Sequence, residues 1–139
     1  MTGPKVAVIG CGYWGKNLAR NFAELEALTA VVDPDPEVAR TQSELYNVQS
    51  MSIENALESD VDGVVIAAPA ELHCDLALQA IRAEKHVYVE KPCSHTPAEG
   101  EMAVAAARKH DRVVQMGSQR RSWSAVIEAI HKIQAGEIG

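Results

Sequence analysis

The sequence predicts an α/β fold: an open, doubly wound parallel sheet between two layers of helices. Three observations carry that reading. Short, almost wholly apolar runs recur along the chain and alternate with longer amphipathic stretches. The runs lack polar alternation, which marks strands buried on both faces. The first run passes straight into closely spaced glycines that open an amphipathic stretch, the order of a strand turning into a helix.

The first strand is Val6 to Ile9. Beyond Gly10, Gly12 and Gly15, the residues Leu18, Phe22 and Leu25 recur at helical spacing. Leu28 to Val32 is the second strand, closed by Asp33. Pro34 and Pro36 suit a helix start, and Glu37 to Tyr46 is read as that helix. A weaker run, Val48 to Met51, reads as an edge strand. Gly63 to Ala67 is the next central strand. The helix after it opens near His73 and carries Leu76, Ala80 and Ile81. Val87 to Val89 follows. Thr96 is placed to cap an alanine-rich helix over Pro97 to Arg108. Val113 to Met116 closes the sheet. Trp123 to Ile133 then puts Val126, Ile127, Ile130 and Ile133 on one helical face, with Gly136 as its stop.

The gross numbers bound the rest. A chain of 139 residues suits one domain, residues 1–139. Hydrophobic content of 47% argues against disorder. Thirteen basic against nineteen acidic residues leave a net charge of −6, a poor match to nucleic acid. Cys11, Cys74 and Cys93 are odd in number and lack zinc-site spacing, so reduced thiols and no metal are expected. Neither a signal peptide nor an apolar run long enough for a bilayer is present in the sequence, so the expectation is a cytoplasmic protein with no membrane partner.

Gly10-Cys11-Gly12-Tyr13-Trp14-Gly15 is a G-x-G-x-x-G loop between a buried strand and a helix. Gly10 permits the tight turn, Gly12 lets a pyrophosphate approach the backbone, and Gly15 lets helix and strand pack closely. The free N–H groups of the new helix favour a phosphate. Asp33, at the end of the second strand, is spaced to accept hydrogen bonds from the adenosine ribose. It would repel a 2′-phosphate, so NAD is favoured and NADP remains open. The bland reading of the loop is a glycine-rich turn; that of Asp33 is a helix cap or turn residue ahead of Pro34.

Tyr88-Val89-Glu90-Lys91-Pro92, at a strand end, adds specificity. So do Ala67-Ala68-Pro69-Ala70-Glu71-Leu72-His73, Gln115-Met116-Gly117-Ser118-Gln119-Arg120-Arg121 and Gly136-Glu137-Ile138-Gly139. With these pieces in this order, the whole chain resembles the Gfo/Idh/MocA family of sugar and cyclitol oxidoreductases. The resemblance implies a Rossmann domain that binds a nicotinamide dinucleotide. It implies cofactor-binding roles for Gly10, Gly12, Tyr13, Trp14, Gly15, Ala68, Pro69, His73 and Glu90, with Trp14 near the nicotinamide. It implies that Lys91 is catalytic, at the reacting hydroxyl of a sugar-like substrate, and that Pro92 follows a cis bond. An ammonium at that oxygen would stabilise developing alkoxide charge; the bland reading is a solvated surface lysine. Arg120 and Arg121 fit the cleft or the surface equally. The resemblance also implies a second, substrate-binding domain beyond this chain, so the 139 residues are expected to bind cofactor with little turnover. The apolar surface facing that domain leaves room for a homo-oligomer. Three other readings stay open: a nucleotide-binding sensor, an NAD-dependent glycoside-cleaving relative, and a methyltransferase.

Overall fold

A computed structural model describes residues 3–138. Gly139, the last residue of the Gly136-Glu137-Ile138-Gly139 match, and residues 1 and 2 of the expected domain lie outside the described residues. Six strands form one sheet: β1 (Val6–Ile9), β2 (Leu28–Val32), β3 (Gln49–Ser50), β4 (Gly63–Ile66), β5 (His86–Val89) and β6 (Val114–Met116). Their order is β3-β2-β1-β4-β5-β6, and every pairing is parallel. The strand order reverses between β1 and β4, and sheets of this kind bind ligands at that switch point.

Among the described residues five α-helices connect the strands, α1 (Gly15–Glu24), α2 (Pro36–Tyr46), α3 (Ile53–Glu58), α4 (His73–Arg82) and α5 (Pro97–Lys109), and α6 (Ser124–Gln134) follows β6. The two faces of the sheet bury different side chains, as strand alternation requires. Ala7, Ile9, Val64, Ile66 and Val89 pack under α3, α4 and α5 through Ala56, Leu76, Ala80, Ile81 and Ala106. Val8, Val31 and Val65 pack under α1 and α2 through Leu18, Ala19, Phe22 and Val38. Burying each large apolar side chain contributes about 1.5–3 kcal/mol, so the central strands β1 and β4 anchor both layers.

Local chemistry sets the helix starts. Asp35 caps α2 by accepting from the N–H groups of Glu37 and Val38, with Pro36 in the first turn. Thr96 and Glu99 form a reciprocal capping box at α5. Ser52 caps α3, a six-residue helix that the sequence reading did not include. Leu25, expected on the buried face of the first helix, is exposed: α1 stops at Glu24 and Glu26 turns left-handed at φ 56°. The helix α6 forms as expected, but Ile127, Ile130 and Ile133 remain exposed among the described residues.

Candidate functional site

The strand register builds the site. Ile9, Val32, Ile66, Val89 and Met116 pair across the sheet as its last row. The residues that follow, Gly10, Asp33, Ala67, Glu90 and Gly117, therefore lie side by side along the carboxyl edge. Four of them extend the ladder: the N–H groups of Gly10, Ala67, Glu90 and Gly117 donate to the carbonyls of Val32, Ile9, Ile66 and Val89 at 2.8–2.9 Å. Segments distant in sequence are thus fixed next to one another by backbone bonds, and the side chains inherit that placement.

The three glycines of the loop differ in what requires them. Gly10 has φ +86°, and a Cβ there would lie 2.7 Å from the Ala68 nitrogen. A Cβ on Gly15 would fall 1.7 Å from the Gly10 carbonyl oxygen. Both are demanded by the protein itself. Gly12 is different: a Cβ there would meet nothing within 4 Å. No protein atom within 4 Å accounts for that glycine.

Asp33 ties the loop to the second strand. Its Oδ2 accepts from the Cys11 N–H at 2.7 Å and its Oδ1 from the Asp35 N–H at 2.9 Å. The turn reading of Asp33 is thus realised, while the cap of α2 is Asp35. A carboxylate offers about four acceptor positions, so two bonds leave capacity for ribose hydroxyls. Cys11 fills the space beneath the loop, and burial followed by the Asp33 charge pushes its thiol up to about 12.

Two cavities follow the carboxyl edge and share Ala67 and Ala68 as a wall. The larger, about 730 Å³, is mostly apolar and lies over Gly10, Gly12, Asp33, Pro69, Met51 and Leu72. The smaller, about 390 Å³, is lined by Trp14, His73, Glu90, Lys91, Gln119 and Arg120. Lys91 is exposed, and the Lys91–Pro92 bond is cis, as the resemblance implied. Among the described residues, none of the ion pairs involves Lys91, Arg120 or Arg121. Glu90 is buried; its Oε1 accepts from the Tyr88 hydroxyl and its Oε2 from the Lys91 N–H, both at 3.3 Å. That carboxylate and burial push the Tyr88 hydroxyl upward, burial first.

Ten of the eleven residues singled out from the sequence are brought to this edge or into the turn beneath it. Tyr13 stands apart: it is 87% exposed, lines neither cavity, and its ring lies under the Lys16 ammonium at 5.5 Å. Gly15 serves through packing rather than by lining the cleft. Sequence reasoning missed Met51, Ser52, Ile53 and Glu54 in the larger cavity and Gln119 in the smaller. The signal for the first group was present as Ser52 ahead of Ile53, Ala56 and Leu57, a cap followed by helical spacing.

Residues 4–118 match the profile of the Gfo/Idh/MocA oxidoreductase family, with its NAD-binding Rossmann fold. The chain belongs to this family. Its relatives include the inositol 2-dehydrogenase of Salmonella typhimurium, 30% identical over 97% of this chain and 43% of the relative. The scyllo-inositol 2-dehydrogenase (NAD(+)) of Bacillus subtilis is 29% identical over 97% of this chain and 41% of the relative. The chain therefore spans less than half the length of these relatives. Among solved structures, the scyllo-inositol dehydrogenase of Lactobacillus casei with bound NAD(H) and scyllo-inositol superposes with TM-score 0.85 at 24% identity. That match covers 98% of this chain and 42% of the other, and it shows the fold. The 3-ketoreductase KijD10 of Actinomadura kijaniata, in complex with NADP and TDP-benzene, gives TM-score 0.89 at 25% identity over 99% and 44% of the two chains. The Gfo/Idh/MocA chain is thus a nicotinamide-dinucleotide-binding domain of a dehydrogenase family. None of its described helices is long and apolar enough to cross a membrane.

Proposed function

We propose that the two cavities hold one NAD(H), adenosine in the larger and nicotinamide in the smaller, and that Lys91 serves the reacting oxygen of a sugar or cyclitol. The observation that carries this is the meeting of Lys91 and Trp14 in one cavity, joined through Ala67 and Ala68 to the glycine loop. NAD, when bound, supplies the hydride acceptor or donor. The chain's own residues do the rest. Gly12 leaves room for the pyrophosphate, and Asp33 receives ribose hydroxyls. Glu90, held from below by Tyr88, faces the nicotinamide ribose. Lys91 donates a hydrogen bond to the carbinol oxygen and stabilises the charge that develops there as its proton leaves.

Discrimination against NADP follows from the larger cavity. Asp33 and Glu54 both line it. Arg40, the cation on the neighbouring helix, is engaged by Glu37 at 2.7 Å and Glu44 at 3.1 Å. A 2′-phosphate would meet like charge with Arg40 already paired.

Because the chain spans less than half of its relatives, we assign substrate selection and the remaining proton-transfer groups to residues outside these 139. The 139-residue chain is expected to bind cofactor and to show no dehydrogenase turnover with myo- or scyllo-inositol. The test is tryptophan fluorescence with NADH and NADPH, on a Trp123→Phe background so that Trp14 alone reports. Saturable quenching, tighter with NADH, supports the reading. A folded chain that binds neither nucleotide overturns it.

A further inference from the structure

His73 and Glu90 are the two buried polar or charged side chains among the described residues, at 2% and 5% exposure, and both line the smaller cavity. His73 opens α4, and both of its ring nitrogens meet backbone carbonyls. Nδ1 lies 2.7 Å from the Pro92 oxygen and Nε2 lies 2.8 Å from the Ala68 oxygen. A carbonyl only accepts, and a neutral imidazole has a single N–H to give. In either neutral tautomer, one bare lone pair would face a carbonyl oxygen at under 3 Å. Only the ring carrying both protons donates to both partners.

We propose that His73 is held as an imidazolium, a double donor that clamps the β4 and β5 exit loops together and so positions Lys91 and Glu90 for the nicotinamide. Ala68 is two residues beyond the end of β4, and Pro92 follows Lys91 directly. The clamp therefore sets the spacing between the loop that walls both cavities and the loop that bears the charged groups. A buried cation needs a compensating charge, and the Glu90 carboxylate lines the same cavity without a direct ion pair to the ring. That carboxylate is buried with only two long hydrogen bonds and has acceptor capacity to spare.

Other charged groups lie on the elements around the ring. Lys91 and Arg120 share the cavity, and both side chains are exposed. Glu71 precedes the ring, Asp75 follows it on α4, and Glu99 comes from the adjoining α5. Cys74 donates to the Glu99 carbonyl at 3.7 Å, and burial pushes that thiol up, which keeps it neutral. The cysteine on the Pro92 side, Cys93, is half-buried beside Ser94.

The protonation part stands on ring geometry alone; the positioning part rests on the dinucleotide reading of the cleft. The experiment keeps them apart. Ring nitrogens of the 15N-labelled 139-residue chain are read by NMR about one pH unit above the ordinary histidine value of about 6.5. His73 is expected to carry two protonated nitrogens. A bare nitrogen on His73 overturns the proposal. In parallel, NADH and ADP are titrated into wild type and His73→Gln, whose side chain has a single donor nitrogen. Loss of a charge-assisted bond predicts NADH weakened by about tenfold. ADP, which lacks both the nicotinamide and its ribose, keeps its affinity. Equal weakening of both ligands, or of neither, overturns the positioning role. If His73→Gln does not fold, the wild-type pH profile decides. The NADH-to-ADP affinity ratio must fall at the pH where the ring gives up its second proton, and a flat ratio overturns the role. Wild type that binds no NADH refutes the cleft reading and with it the positioning part, while the ring spectrum still decides protonation.

Discussion

The larger and smaller cavities are neighbours on one sheet edge, yet they are built in opposite ways. The larger depends on side chains that are missing: Gly10, Gly12 and Gly15 keep space clear around the turn. The smaller depends on side chains that are held: Glu90 by Tyr88, and the Lys91 loop by His73. The first should fail when atoms are added and the second when hydrogen bonds are removed. Motif spacing can report the first kind of site, because absence is a property of single positions. The second kind needs partners brought together by the fold.

The sharpest way to break the larger cavity is Gly15→Ala. Its Cβ would fall 1.7 Å from the Gly10 carbonyl, and the obstacle is backbone that cannot rotate away. Overpacking of this severity costs about 3 kcal/mol or more. Thermal unfolding should show a large fall in Tm and NADH binding should vanish with it. Unchanged Tm would mean that the loop is not packed against α1 as described. Gly12→Ala is the matched contrast. Its Cβ meets open space, so stability should stay within about 0.5 kcal/mol. NADH affinity should nevertheless fall roughly a hundredfold, about 2.7 kcal/mol. A variant that binds NADH as wild type does would remove the pyrophosphate from Gly12.

Asp33→Ala lies between these extremes because Asp33 serves both the protein and the proposed ligand. It frees the Cys11 and Asp35 N–H groups. Orphaning the part-buried Cys11 donor should cost about 1–2 kcal/mol in urea denaturation. Removal of the carboxylate should also shift the NADH-to-NADPH affinity ratio about tenfold toward NADPH. A stability loss with an unchanged ratio would make Asp33 a turn residue alone.

These contrasts also mark what could be read before the structure. β1 and β2 fall on the expected residues, because continuous apolar runs such as Val6 to Ile9 leave few other choices. The edge strand β3 was legible only as a weak run and shrinks to two residues. The helix α3 escaped because six residues give barely one and a half turns of periodicity. Leu25 misled because spacing continues past a helix end that is set by Glu26 turning left-handed, a conformation unusual for that residue. The glycine loop and Asp33 were legible from spacing. Tyr13 shared the motif, but its side chain is exposed and lines neither cavity. His73 was legible as a cleft residue only through family resemblance. Its carbonyl partner at Pro92 is 19 residues away, and no local pattern announces that contact.

The smallest expected effect concerns the wall beneath the loop. Cys11 is buried, and burial followed by the Asp33 charge raises its thiol from 9.0 to about 12. Above pH of about 9 the unfolded chain releases this proton while the folded chain keeps it. The unfolded state then binds fewer protons, so stability falls as pH rises from about 9 towards about 12, with a slope approaching ~1.4 kcal/mol per pH unit. Other groups titrate in that range, so the informative quantity is the difference between wild type and Cys11→Ala. Urea midpoints for the two proteins should converge as the pH is raised from about 8 to about 10.5. Parallel midpoints would mean that the thiol is reached by water and that the floor of the larger cavity is looser than the Cys11–Asp33 geometry describes. Native-state alkylation gives the same answer independently: half-buried Cys93 should react first, and Cys11 should stay unmodified until the chain unfolds.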